Sequence, residues 1–257
     1  LQAQEFGLPA RITGCRHDGF GAIFGGQRVP AIRRKEIVIE NDIGWRVDTM
    51  IAYLFGRPVG LKSLAADAVL GQKIQTALNA AIQANGGQVF LRQLALFAHV
   101  YGFVDVIVRG DVSAAGAATP PSDPADAAAR IVLDLVEADR AVPVINADDY
   151  RRLDFYVQHF RQRLNQVDGQ GNELAVMVTE IIAPHAWQRY HDGELVAEGE
   201  NPLGRLPVVH LQNLPRPFYY EGESEVERLI PMQDELNTRL SDRANRISFQ
   251  SFKMYLG

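Results

Sequence analysis

The residues best suited to chemistry are the six histidines, His17, His99, His159, His185, His191 and His210. None stands in a His-Glu-x-x-His pattern or in a Cys/His spacing that would hold zinc. Cys15 is the single cysteine; it has no intrachain disulfide partner and reads as a small apolar filler. His185 and His191 come closer to a site, because they flank a predicted β-hairpin near Asp192 and Glu194, the ligand types of a metal-dependent hydrolase. The simpler reading is a hairpin with surface histidines. Gly21 to Gly26 (Gly-Ala-Ile-Phe-Gly-Gly) has the glycines of a phosphate loop but lacks the Gly-Lys-Ser/Thr ending and a strand-loop-helix setting. No nucleotide-hydrolysing machinery is visible, and no cofactor is implied.

The bulk properties are those of a folded chain. Of 257 residues, 47% are apolar and 22% charged, enough to bury a core in one large or two smaller domains. The net charge of −5 argues against salt-sensitive wrapping of nucleic acid, which needs clustered Lys and Arg to displace counterions. The most apolar stretch, Val89 to Val108, is interrupted by Arg92, Gln93, His99 and Asp105, so no membrane span is expected. The chain begins at Leu1 with no signal-peptide pattern, and its natural start is expected to lie upstream.

The elements follow from periodicity. Residues 1–40 are glycine-rich and end in Arg33-Arg34-Lys35 and the β-type run Glu36 to Glu40, predicting an extended arm that lies on something else. Asn41 is a good N-cap for an amphipathic helix carrying Ile43, Val47, Met50, Ile51 and Leu54, which ends at Gly56 with Pro58 beyond. Further helices are predicted from about Ala66 to Ala84 and from Gln88 to Tyr101, separated by Asn85-Gly86-Gly87. Phe103 to Val108 and Ile131 to Val136 read as strands, and the Ala/Pro-rich residues 111–129 between them as a mobile surface loop. Leu153 to Arg163, Glu173 to Ile182 and a hairpin turning at Asp192-Gly193 complete an antiparallel sheet. Helices, then an antiparallel sheet, then one long helix make the class α+β.

The last fifth is the most informative. Pro207 to Leu211 is a short strand and Asn213 to Pro217 a rigid turn. Ser224-Glu225-Val226-Glu227 has the form of a capping box, with Ser224 and Glu227 as the reciprocal pair. Behind it, Leu229, Leu236, Leu240 and Ile247 form an apolar stripe on a helix predicted to reach about Phe252, roughly 43 Å long. Gln233, Asn237 and Ser241 form a separate polar stripe. Pro231 predicts a kink there or a break into two pieces. Arg239, Arg243, Arg246 and Lys253 crowd the end of the helix, where its dipole favours cations.

This stretch resembles the portal proteins of tailed bacteriophages, in the SPP-like group. A Pro-Val-Val strand, an Asn/Pro turn and Gly-x-Ser-Glu precede a helix matching at Leu229, Ile230, Gln233, Asp234, Leu236, Asn237, Leu240, Ser241 and Asp242. Asn41 to Val59 and Leu91 to Gly102 resemble two further blocks of the group, in the same order. The resemblance implies a non-enzymatic subunit of a ring of twelve, a conduit for double-stranded DNA in packaging and ejection within the virion, assembled in the host cytoplasm. It implies partners too: the terminase packaging motor, the major capsid or scaffolding protein, and neck or adaptor proteins, with no membrane. Residues 41–222 are then a portal-type wing and 223–257 the first stem helix, with clip, second stem helix, channel loop and crown beyond Gly257. Leu229, Gln233, Asp234, Leu236, Asn237, Leu240, Ser241 and Asp242 become stem packing and ring-interface residues, and Arg243, Arg246 and Lys253 possible DNA contacts in the channel. Another head-to-tail connector or a minor capsid protein remains the alternative.

Overall fold

A computed structural model describes residues 23–24, 27–28, 36–110, 123–149, 152–167 and 173–251. The chain divides into two compact units, one of residues 1–49 with 226–257 and one of residues 50–225. The fold is α+β, as its periodicities predict.

In the first unit, Ile23–Phe24 (β1) pairs antiparallel with Gln27–Arg28 (β2). Residues 36–40 are extended without belonging to a sheet. Helix α1, Asp42–Phe55, begins here and ends in the second unit. A 3₁₀ turn at Glu227–Leu229 leads into α5, Ile230–Ser251, of 22 residues and about 33 Å. Pro231 therefore lies in the first turn of the helix, where its missing N–H would have no partner anyway. The expected break falls before it, in the 3₁₀ turn.

The second unit holds helices α2 (Ala68–Ala84), α3 (Gln88–Tyr101) and the short α4 (Pro124–Ala129). The strands are β3 (Phe103–Gly110), β4 (Ile131–Val136), β5 (Ala141–Ile145), β6 (Leu153–Val167), β7 (Glu173–Ile182), β8 (Ala186–His191), β9 (Glu194–Glu200) and β10 (Val208–Gln212). They form an antiparallel three-stranded sheet, β10-β3-β4, and an antiparallel five-stranded meander, β5-β6-β7-β8-β9. The β8–β9 hairpin turns on Asp192 and Gly193, both with positive φ (49° and 89°), as the Asp-Gly pair predicts.

Ile107, Val136, Tyr156 and Ile182 form one buried cluster of this unit, with Ala141, Leu153, Leu206 and Val208 packed against it. Two polar links join the sheets. Arg109 on β3 grips Glu180 on β7 through both guanidinium nitrogens at 2.7 Å, and the Tyr156 hydroxyl on β6 donates to Asp105 on β3 at 2.8 Å. The carboxylate of Glu180, 2% exposed, is compensated by that bidentate fork.

Part of the expected loop at 111–129 is ordered helix. Asp123 caps α4 by accepting from the Asp126 N–H at 2.8 Å, Pro124 occupies its first turn and Ala128 is buried. Small alanines let α4 approach α2 closely, which is a packing role that composition alone conceals. Residues 111–122 lie outside the described residues.

The capping box also resolves differently. Val226, without a side-chain cap, precedes the 3₁₀ turn, while the Ser224 hydroxyl donates to the Val100 carbonyl at 2.6 Å. It closes the C-terminal end of α3 together with Glu225 N–H on His99 O (3.0 Å) and Asn213 N–H on Gly102 O (2.8 Å). The last carbonyls of a helix need partners from elsewhere, and residues 213–225 supply them. This docking requires two glycines. Gly102, at φ +86°, is the left-handed C-cap of α3, and a Cβ on Gly222 would stand 1.9 Å from Asn213 O and 2.3 Å from Gly102 O.

Gly222→Ala is therefore expected to destabilise the chain by about 1–3 kcal/mol or more through a clash with rigid backbone. Thermal melting should fall by several degrees; an unchanged melting temperature would contradict this close approach.

Candidate functional site

The described residues that the resemblance assigns to assembly lie on α5, apart from Leu229 in the turn before it, and the structure sorts them in an unexpected way. The buried face of α5 is the polar one: Asn237, Ser241 and Asn245 are 4%, 0% and 9% exposed. The apolar stripe is the outer one, with Leu236 at 39% and Ile247 at 53%, flanked by Ile230 and Met232 at 50% and 69%. Leu229 and Leu240 are half-buried. At 3.6 residues per turn the two stripes are about 100° apart.

The polar stripe is buried because the chain's own extended segment lies along it. Glu40 N–H donates to Asn237 Oδ1 (2.9 Å), and its carbonyl accepts from Asn237 Nδ2 (3.3 Å) and Gln233 Nε2 (3.1 Å). Val38 N–H donates to the Ser241 oxygen (3.0 Å), and that hydroxyl in turn faces Val38 O (3.3 Å) and Asn237 O (2.7 Å). Glu36 N–H donates to Asn245 Oδ1 (3.2 Å), while Asn245 Nδ2 donates to Glu36 O (2.8 Å) and Ser241 O (2.7 Å). Ser248 extends the row to the Glu36 carboxylate.

The geometry explains the spacing. Alternate residues of an extended chain recur about every 6.6 Å, and every fourth residue of a helix about every 6 Å. Residues 36, 38 and 40 therefore register with 245, 241 and 237, antiparallel. Each of these backbone N–H and C=O pairs finds a side chain in place of a neighbouring strand. The β-type run Glu36 to Glu40 thus lies along a helix, bonded to its side chains.

This corrects the expectation that Gln233, Asn237 and Ser241 face a neighbour or a channel. The sequence shows amides and a hydroxyl at i, i+4 and i+8 but not which backbone they bond, and the partner lies about two hundred residues away. Asn245, absent from the expected set, continues the same i+4 spacing and was legible on that ground. Of the other expected residues, Asp234 accepts through its backbone carbonyl from the Thr238 hydroxyl at 2.7 Å, Asp242 is half-buried, and Arg243 and Arg246 are exposed. Lys253 lies outside the described residues.

A second polar cluster stands in the other unit. Asp105, fully buried, accepts from the hydroxyls of Tyr156 (2.8 Å) and Tyr220 (2.9 Å) and lies 2.6 Å from His210 Nδ1. His210 Nε2 faces the Tyr220 carbonyl at 2.8 Å, and the two rings stack at 3.9 Å. Burial, followed by the charge and hydrogen bond of Asp105, holds both tyrosine hydroxyls far above their ordinary value of 10. These are the bonds of a structural knot, since each donor is turned inward onto one carboxylate.

His17 lies outside the described residues, and the other histidines do not converge on a metal-type cluster. His99 meets Glu225 at 2.9 Å and His159 meets Thr179 at 2.9 Å, on different elements. Among the described residues no three His, Cys, Asp or Glu side chains are placed to hold a metal, and no helix is long and apolar enough to cross a membrane.

Two measurements test these clusters. Asn237→Leu removes the acceptor of the Glu40 amide and leaves its carbonyl to Gln233 alone, which costs about 1–3 kcal/mol; hydrogen exchange at Val38 and Glu40 should accelerate, and unchanged protection would contradict the ladder. A tyrosine whose hydroxyl is raised by folding stabilises the fold fully below its unfolded value near 10 and loses that contribution as pH climbs beyond it. Stability should fall above pH 10 in the native chain and fall less steeply in a Tyr156→Phe/Tyr220→Phe double variant, as followed by denaturant titration at pH 8 to 11; equal slopes would contradict this.

Compared with known families, residues 46–256 match the family described as phage portal protein, SPP1 Gp6-like. No curated protein matches the chain.

Proposed function

The chain belongs to the phage portal protein family, a structural family, and from that premise we propose that it is the repeating subunit of a twelve-membered ring that conducts double-stranded DNA into and out of a capsid. The single observation that carries the reading beyond family membership is the inverted helix α5. Its Asn237 and Ser241 side chains are engaged within the subunit, while the side chains of Leu236 and Ile247 are exposed. An apolar row left outward on a helix calls for cover.

A closed ring uses a heterologous contact, in which one face of each subunit meets a different face of the next. The outward row of α5 is one such face, and α5 then serves as the first stem helix, with the ring interface at Leu229, Leu236, Leu240 and Ile247 in place of the polar stripe. Asp234 and Asp242 border it. The exposed Arg243 and Arg246 are the cations nearest to a channel in this arrangement and touch phosphates only locally. A net charge of −5 suits a conduit, because a duplex that must slide cannot be held tightly at every phosphate. The packaging motor, the capsid or scaffolding protein and the neck proteins dock on other surfaces of the ring at the portal vertex.

The test is mass and shape. Light scattering and negative-stain microscopy of the full-length protein should give a ring of about twelve subunits with a hole of duplex width. Leu236→Asp/Ile247→Asp should reduce it to a folded monomer with unchanged far-ultraviolet circular dichroism. A ring that forms equally well with both aspartates would overturn the interface, and a protein that stays monomeric with and without scaffolding protein would overturn the portal reading.

A further inference from the structure

A cavity of about 700 Å³ lies in the second unit, within the size range of small-molecule sites. Its polar lining is one-sided. Arg152, Arg205, His185 and His210 contribute to the wall together with Gln212 and Tyr219, and among the described residues no aspartate or glutamate does. In a chain with five more acids than bases, an acid-free wall with two arginines stands apart. Neither Arg152 nor Arg205 makes an ion pair among the described residues, and a third guanidinium, Arg216, stacks over the Tyr219 ring at 4.5 Å.

The rim is built. Asn201 ties two of its segments together: its N–H donates to the His185 carbonyl at 2.8 Å, and its side-chain amide donates to the Arg205 carbonyl at 2.8 Å and the Ala183 carbonyl at 3.2 Å. Gly204, at φ +61°, makes the turn that presents Arg205. On the opposite strand connection, Arg152 N–H donates to Asp149 O and Arg152 O accepts from Asn146 N–H, at 3.0 and 2.9 Å. Behind the wall, Asp105 and the Tyr220 carbonyl hold both nitrogens of His210, so that ring shapes the cavity while the arginines and His185 remain to meet a ligand.

We propose that this cavity binds a phosphate group. Two guanidiniums lining one cavity, neither in an ion pair among the described residues, make its wall positive, and an anion held there is drawn to both. The planar five-donor head of arginine suits phosphate oxygens, and the volume leaves room for whatever the phosphate is attached to. The group comes either from a free phosphorylated molecule or from a nucleic-acid backbone.

Calorimetric titration of the full chain at fixed ionic strength tests this, with inorganic phosphate and pyrophosphate as probes and sodium chloride as the control. Saturable binding near one per chain is expected, weakened at least tenfold in Arg152→Ala/Arg205→Ala and unchanged in Arg92→Ala, an exposed arginine on α3. Arg152→Lys/Arg205→Lys, which keeps the charge, should retain part of the affinity, and thermal melting checks that each variant is folded. A short DNA duplex separates the sources: competition with pyrophosphate and loss in the double alanine variant assign the site to backbone phosphate, whereas duplex binding indifferent to that variant assigns it to a free phosphorylated molecule. No saturable binding of either probe, or an equal loss in Arg92→Ala, would overturn the proposal.

Discussion

The first unit is organised by one constraint: a buried backbone N–H or C=O must have a hydrogen-bond partner. Residues 36–40 lie against a helix, which has no free backbone groups to offer. Asn237, Ser241 and Asn245 replace the missing strand with side chains at a spacing close to that of alternate extended residues. Once this face is occupied by polar groups, the apolar row of α5 has to point elsewhere. The inversion of the helix is thus a consequence of how the arm is held. The hydrogen bonds of that face are completed within the chain, and Leu236 and Ile247 are left exposed on another face beside the charged residues.

The second unit obeys the same constraint by other means. The carbonyls ending α3 are taken by Ser224, Glu225 and Asn213, and the carboxylates of Asp105 and Glu180 by tyrosines and arginines from facing strands. Half-satisfied groups at these depths cost more than an apolar replacement would. Such knots fix which strand faces which, and so hold the walls of the cavity beside His210 in place.

Much of this was legible in the sequence, and the reasons differ by element. Asn41 and Gly56 marked helix ends because capping chemistry is local, and Asp192-Gly193 marked its hairpin because few other pairs accept two positive φ values. The three helices before β3 and the strands around it follow from periodicity. What could not be read was the partner of a polar group. Ser224 has the spacing of a capping box with Glu227, yet its hydroxyl bonds a carbonyl more than a hundred residues away. Gln233, Asn237 and Ser241 were visible as a stripe, but a stripe of amides has the same appearance whether it meets a neighbour, a channel or the chain's own arm. Residues 123–129 looked inert because alanine contributes little area, although small size is what allows α4 to pack.

The account depends most on what each stripe of α5 touches in the assembled particle. A side-chain-resolution electron density map of the ring decides this directly. The account predicts Val38 and Glu40 bonded to Ser241 and Asn237 as in the single chain, with Leu236 and Ile247 covered by the adjacent subunit. A ring in which Asn237 and Ser241 face the neighbour or the channel while Leu236 and Ile247 remain in water would contradict it.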